Sequence, residues 1–154
     1  MARLEQMSAA ERKLHEELQC PVFQTHPWVE GPPLSRRRVA IVSTAGLHTR
    51  GDRPFTLDPG DCYRIIPGDI KASDLVMTHV SANFDRTGFQ QDWNVVFPID
   101  RLRELAEEGC IGSVSDYHYS FMGAHDQMAM EQEVRSVATL LRKDKVDAVL
   151  LIPV

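Results

Sequence analysis

No apolar stretch of this chain is long enough to cross a membrane. The longest, Ala148-Val149-Leu150-Leu151-Ile152-Pro153-Val154, falls far short of the roughly 18 residues that a spanning helix needs. The charged amino terminus has no apolar core of a secretory signal, so a cytoplasmic protein with no membrane partner is expected. Glycine and proline are scarce, nine of each in 154 residues, which excludes a fibrous or low-complexity chain. Only three cysteines occur, Cys20, Cys62 and Cys110, far apart and with no C-x-x-C pair. That argues against a zinc site and against a disulfide framework. Free thiols and no bound metal are expected. A basic excess is also missing. The net charge is −5, and the acidic surplus lies after residue 77, so there is no electrostatic footprint for nucleic acid. The single basic run, Arg36-Arg37-Arg38, reads as the solvated entrance to a strand. Phosphate-binding fingerprints are absent. Thr44-Ala45-Gly46 is not a G-x-G-x-x-G turn, and no G-x-x-x-x-G-K occurs, so dinucleotide and ATP readings lose their support.

What remains has the balance of an ordinary globular protein, 43% hydrophobic and 25% charged. Residues 1–34 read as a helix and a proline-rich arm, and residues 35–154 as one α/β domain. Ser8 and Glu11 have capping-box spacing, and Leu14 and Leu18 fall on one helix face. Pro21, Pro27, Pro32 and Pro33 then forbid regular structure, and Trp28 is expected to anchor the arm by burying its indole. Strands are expected at 38–44, 62–67, 73–80 and 146–152, with loops at 45–49 and 50–61. A helix at 98–108 stops at Gly109, and residues 111–115 form a short extended link. A second helix at 124–143 carries Met130, Val134, Val137 and Leu141 at helical spacing. Arg142, Lys143 and Lys145 sit at its end, where cations suit the helix dipole. The last strand is almost wholly apolar, as for a strand buried on both faces of a parallel sheet. Strands alternating with helices predict an α/β protein with a Rossmann-like, mostly parallel sheet. Ligands of such sheets bind beyond the carboxyl ends of the strands. The last strand runs to the final residues, so the domain is expected to be an incomplete half of a longer, two-lobed protein.

His79, Ser81, Asn83 and Asp85 occupy alternate positions after the third expected strand. In extended backbone they share one face, which would suit a small zwitterionic substrate. His79 could donate to a carboxylate or shuttle a proton. Asp85 could hold an ammonium or orient His79. The competing reading is a loop whose Asn and Asp side chains cap backbone groups. Thr44, Gly46 and His48 form the loop after the first strand, where Gly46 permits close approach of a ligand and His48 reads as a surface histidine. Asp92 and Asn94 read as turn or capping groups and Trp93 as a packing anchor. The aromatic run Tyr117, His118, Tyr119 and Phe121 reads as a subunit contact, with core packing as the alternative, and an oligomer is expected. Met122, Met128 and Met130 read as helix packing.

Several stretches resemble one family. They are Ile41-Val42-Ser43-Thr44-Ala45-Gly46-Leu47-His48, Gly51-Asp52-Arg53-Pro54-Phe55, Tyr63-Arg64-Ile65-Ile66-Pro67 and Thr78-His79-Val80-Ser81-Ala82-Asn83-Phe84-Asp85. Further along come Asp92-Trp93-Asn94-Val95-Val96-Phe97-Pro98-Ile99-Asp100-Arg101-Leu102, Glu108-Gly109-Cys110-Ile111-Gly112 and Val146 through Val154. Together they resemble the selenoprotein B family of glycine, sarcosine, betaine and D-proline reductases, and are closer to the D-proline type. The resemblance implies reductive cleavage of a carbon–nitrogen bond in a small amino acid or amine. It implies a selenocysteine or cysteine, followed by a second cysteine, directly after the strand that ends at Val154. It implies that the gene continues there through a UGA codon, and that a partner subunit carries a pyruvoyl group. On this reading no cofactor lies in the chain itself and the chain alone is inactive. His79 and Asp85 become catalytic candidates, and Thr44, Gly46, Ser81 and Asn83 substrate-binding ones. The other readings are a non-catalytic Rossmann-like domain that binds a small molecule or a partner, and, more weakly, a carbon–nitrogen or racemase-like enzyme that uses the existing cysteines.

Overall fold

A computed structural model describes residues 4–17, 22–26, 28–58, 60–81 and 84–154. Leu18, Cys20, Pro21, Pro27 and Asn83 lie outside the described residues. In chain order the elements are α1 (Ala9–Glu16), β1 (Arg38–Ser43), β2 (Leu47–Thr49), β3 (Tyr63–Pro67), β4 (Leu75–Met77), α2 (Thr87–Gln91), α3 (Ile99–Glu107), β5 (Ser113–Val114), β6 (Tyr117–Phe121), α4 (Glu131–Lys143) and β7 (Ala148–Ile152). This is a mixed α/β architecture with a mostly parallel main sheet. β1 is its centre. One edge of β1 pairs in parallel with β5 at Arg38 and Val39, then with β6 at Val42 and Ser43. β7 pairs in parallel along the other edge, from Val39 to Ser43. β3 closes the far side antiparallel to β6. β2 and β4 form a separate antiparallel pair.

β1 explains why helices pack on both faces. Its β-branched residues alternate at the strand period. Val39 and Ile41 join Phe97 and the Ile99 and Leu102 face of α3 in the larger core. Val42 points the other way, to Tyr119, Phe121 and the Val137, Leu140 and Leu141 face of α4. Each fully buried aliphatic side chain of this kind contributes about 1.5–3 kcal/mol. Both long helices end in the same device. Gly109, at φ +73, lets its own N–H reach Ala106 O and the next N–H reach Leu105 O. Lys145 does the equivalent at φ +56, closing on Arg142 and Leu141.

Several sequence expectations need correction. The loop expected at 45–49 contains β2. The aromatic run is β6, a sheet strand. His118, Tyr119 and Phe121 are buried in it and only Tyr117 is exposed, so the core claims three of the four residues expected at a subunit contact. The second long helix begins at Glu131 rather than 124, because turns occupy 126–130. Trp28 is 81% exposed and anchors nothing. Arg38 is no solvated entrance residue. Its guanidinium bonds Asp144, Asp116 and Val114 O, and so ties β1 to the link before β6 and to the end of α4. Burial works against an ionised Asp144, but hydrogen bonds from Ser115 and Arg38 outweigh it and hold that carboxylate below its usual range. β7 is not buried on both faces. Leu151 is 68% exposed, and Val149 and Leu150 are open as well, because α4 covers the β6 side of the sheet and leaves the β7 edge bare.

Candidate functional site

Four segments meet at the carboxyl ends of the parallel strands. Thr44 N–H donates to Ile152 O at 3.1 Å, joining the ends of β1 and β7. Gly123 N–H donates to Thr44 O at 3.0 Å and Gly46 N–H to Phe121 O at 2.9 Å, bringing in the end of β6. Thr78 N–H reaches Gly46 O at 3.0 Å, which adds the segment after β4. The chain passes from β1 to β6 on one side and returns to β7 on the other. Strand order therefore reverses between β1 and β7, where open α/β sheets place their ligands.

Two glycines let these segments close. Gly46 has φ +65, and a Cβ there would lie 2.9 Å from Met122 Cε and 3.1 Å from the His79 backbone. At Gly123 a Cβ would lie 2.8 Å from Thr44 O and 3.3 Å from His79 Nε2. The space at Gly123 is thus bordered by Thr44 on one side and by the His79 ring on the other. Met122, wholly buried, receives the Val80 N–H at its sulfur. It follows a strand and is not helix packing, as the sequence had suggested.

His79 is 5% exposed and stacks against Phe84 at 4.8 Å between ring centroids. Its Nδ1 accepts the Ser81 N–H at 3.2 Å. A backbone amide can only donate, so Nδ1 carries no proton and the neutral ring holds its proton on Nε2. That Nε2 is buried without a partner. Burial, with the Arg86 charge nearby, lowers the ring's pKa below the ordinary histidine value. The ring is therefore a neutral donor aimed at the Gly123 space. It suits an anion better than it suits proton abstraction.

The other sequence candidates are spread around this point. The Thr44 hydroxyl accepts the Val154 N–H at 2.9 Å and donates to Val154 O at 3.3 Å, so it is engaged with the backbone leaving β7. Ser81 supplies the amide that orients His79. Asn83 lies outside the described residues. The Ser81 N–H bond to Nδ1 ties the His79 ring to its own backbone at the start of the segment, and residues 82 and 83 lie outside the described residues. Asp85 is exposed and accepts the Thr87 N–H at 2.9 Å. It leads into α2, and the ring of His79 takes its orientation from Ser81 instead. His48, expected at the surface, is buried in β2 with Nδ1 against Thr49 O. Asp92 and Asn94 cap the turn before α3, and Trp93 donates to Asp100. Sequence reasoning missed Gly123 and Arg86. The Gly123-Ala124 step after the alternating strand was the available signal for the first.

Cys62 is buried, and burial with Glu133 nearby pushes its thiol pKa up, so it stays protonated; Cys110 is exposed. Neither thiol is paired. Among the described residues no group of three or more His, Cys, Asp or Glu is arranged to hold a metal ion, and no helix is long and apolar enough to cross a membrane. A cleft of about 500 Å³ lies at the opposite end of the sheet, lined by Gly68, Arg103, Ser115 and Asp116. Arg103 and Ser115, its central polar side chains, are committed. Arg103 bonds Asp100, Gly68 O and Ile70 O, and Ser115 bonds Asp144 and Tyr117 O. The carboxyl-end site, with an unpartnered buried donor, is the stronger candidate.

Fold and site together define an α/β domain whose candidate site lies where the strand ends converge at the β1–β7 reversal. Comparison with known proteins names its relatives. The family described as glycine/sarcosine/betaine reductase selenoprotein B matches residues 7–153, and the chain belongs to that family. It is 34% identical over 141 residues to the D-proline reductase subunit gamma of Acetoanaerobium sticklandii, covering 90% of this chain and 57% of that protein. It is 33% identical over 144 residues to the glycine reductase complex component B subunit gamma of Symbiobacterium thermophilum, covering 88% of this chain and 33% of that one. It is 29% identical to the sarcosine reductase complex component B subunit beta of Peptoclostridium acidaminophilum, covering 90% of this chain and 33% of that one. The chain thus spans just over half of the first relative and a third of the other two. No solved structure matches.

Proposed function

We propose that the chain is part of a cytoplasmic amino acid reductase that cleaves a carbon–nitrogen bond of a small amino acid of the D-proline, glycine, sarcosine or betaine kind. Family membership supports the reaction class, and the unpartnered, buried Nε2 of His79 supports the place. On this reading the β1–β7 reversal is the crevice of a Rossmann-like domain, and a selenocysteine or cysteine of the intact reductase follows β7. When present, that residue and a neighbouring cysteine supply the reducing electrons by closing a selenenylsulfide or disulfide. The residues of this chain fit such a group, because an anionic selenolate or thiolate wants a fixed donor in a dry setting. Thr44 holds the backbone leaving β7 against β1, so its role is to position that backbone. His79 Nε2–H donates to the anion. Asp85, exposed at the lip, faces the substrate's ammonium, with Ser81 as a further contact and Gly46 giving the backbone room; Asn83 stays a substrate-binding candidate on the sequence alone. A partner subunit carries the pyruvoyl group that holds the amine.

The test is reconstitution. The full reading frame that contains this chain is expressed with a pyruvoyl-bearing subunit, and dithiol-dependent consumption of D-proline, glycine, sarcosine and betaine is measured. Turnover of one of them by the pair, and none by the 154-residue chain alone, is expected. A complex that consumes none of the four would refute the assignment.

A further inference from the structure

We propose that Arg86 is the anchor for the substrate's carboxylate, at the lip of the site that holds His79. The inference rests on the reading of that site as an amino acid reductase centre. Arg86 stands at the start of α2 and turns back, so that its Nη2 donates to the carbonyl oxygen of His79. That bond uses one nitrogen of the guanidinium and leaves the rest of the fork open. The side chain is otherwise exposed. Among the described residues no carboxylate lies within ion-pairing distance of it. The arginines at 38, 53, 64, 101, 103 and 135 all have acidic partners; Arg36, Arg37, Arg50 and Arg142 have no ion pair among the described residues, but Arg86 is the one bonded to the His79 backbone. Asp85, its neighbour, is turned to the Thr87 N–H. A guanidinium tethered by a backbone carbonyl, exposed and without a counter-ion, is preorganised for a carboxylate, which it grips through two parallel N–H donors.

The chemistry of the proposed substrates selects the same group. Their nitrogens differ: primary in glycine, secondary in sarcosine and proline, quaternary in betaine. All carry a carboxylate. A recognition element common to such enzymes therefore acts on the carboxylate, and variation falls at the amine end. Arg86 and Asp85 are consecutive and both exposed, which suits the two ends of a zwitterion. The tether to His79 O also couples recognition to the ring, since Arg86 pulled toward a ligand draws on the backbone that carries His79.

The experiment is a titration of the isotopically labelled chain, followed by NMR at the Arg86 side-chain N–H and the His79 ring. The ligands are D-proline, betaine and D-prolinamide, which lacks the carboxylate charge. D-proline and betaine should shift both signals and D-prolinamide neither. Arg86→Gln should weaken the D-proline response by at least about tenfold. Arg86→Lys should keep part of it, as a point charge without the fork. Thermal melts check that both variants are folded. Equal shifts with D-prolinamide, an unchanged response in Arg86→Gln, or no response to any carboxylate up to its solubility would each overturn the proposal. The two readings fail separately. Loss of carboxylate binding with turnover still dependent on His79 rejects the anchor alone. Binding through Arg86 in a complex indifferent to His79 rejects the reductase reading of the site instead.

Discussion

Acidification should weaken this domain through His118 before its carboxylates are protonated. His118 is wholly buried in β6, with Nδ1 accepting the Ile41 N–H at 2.9 Å and the ring edge-on to Phe97. Burial, with the Arg103 charge nearby, pushes its pKa down to about 4. An unfolded chain returns it to about 6.5. The unfolded state therefore takes up the proton first. The stabilisation is fully present above about pH 6.5, fades as pH falls toward the folded value, and is gone below it. The gap corresponds to about 3 kcal/mol, of which about 2 is lost by pH 5. That is a large share of the roughly 5–15 kcal/mol that holds a domain together. Urea unfolding followed by circular dichroism at about pH 7.5 and pH 5 measures it. His118→Asn keeps an acceptor for Ile41 N–H and removes the titration. It should be less stable than the parent at neutral pH, yet lose much less between the two pH values. His79, also buried with a lowered pKa, leaves a slope of the same sign in the variant. An equal loss in parent and variant, or a His118 ring that titrates near 6.5 in the folded chain, would refute the reasoning.

Other outcomes follow from the same contacts. Asp61 is 3% exposed, accepts from Arg64, Arg53 and the Thr56 N–H, and is held at a pKa of about 2, chiefly by Arg64. Asp61→Asn strands Arg64 and should cost about 3–5 kcal/mol in denaturant unfolding at neutral pH. In the parent this contribution is lost only as pH falls below about 3.8, a window separate from that of His118. Gly123→Ala should shift the His79 ring resonances and cost about 1–3 kcal/mol, because its methyl meets the Thr44 carbonyl. Leu151→Lys should change stability by less than about 0.5 kcal/mol and reduce self-association in sedimentation, since Leu151 already faces water.

The central elements were legible where periodicity was strong. β1, β3, α3 and β7 lie close to their expected places because β-branched runs and the Ile99, Leu102 and Ala106 spacing admit few alternatives. β6 was missed as a strand although it alternates. Tyr117, Tyr119 and Phe121 fall at one parity and His118 and Ser120 at the other, but the aromatics drew attention to an interface. β2 is three residues long and exists by pairing with β4, a tertiary fact that no local pattern carries. The exposure of β7 was unreadable for a similar reason. An apolar strand declares its preference, whereas its cover is decided by where α4 packs. At the candidate site the position of His79 after β4 was legible, but the contacts around its ring were not. The even spacing of His79, Ser81, Asn83 and Asp85 suggested one face, and it gave no sign that the Ser81 N–H would bond Nδ1 and fix the ring's tautomer. Arg86 and Gly123 come to the ring from other segments, and sequence spacing does not show such approaches.

The most direct test of the central claim is turnover of the intact, reconstituted reductase carrying substitutions at His79. His79→Leu removes the Nε2–H and keeps an apolar filling beside Phe84, and His79→Gln offers an N–H near the same point. The account predicts that the Leu variant loses at least about tenfold in kcat with D-proline, that the Gln variant recovers part of that loss, and that the two melt within a few degrees of each other. A Leu variant that turns over like the parent would contradict it.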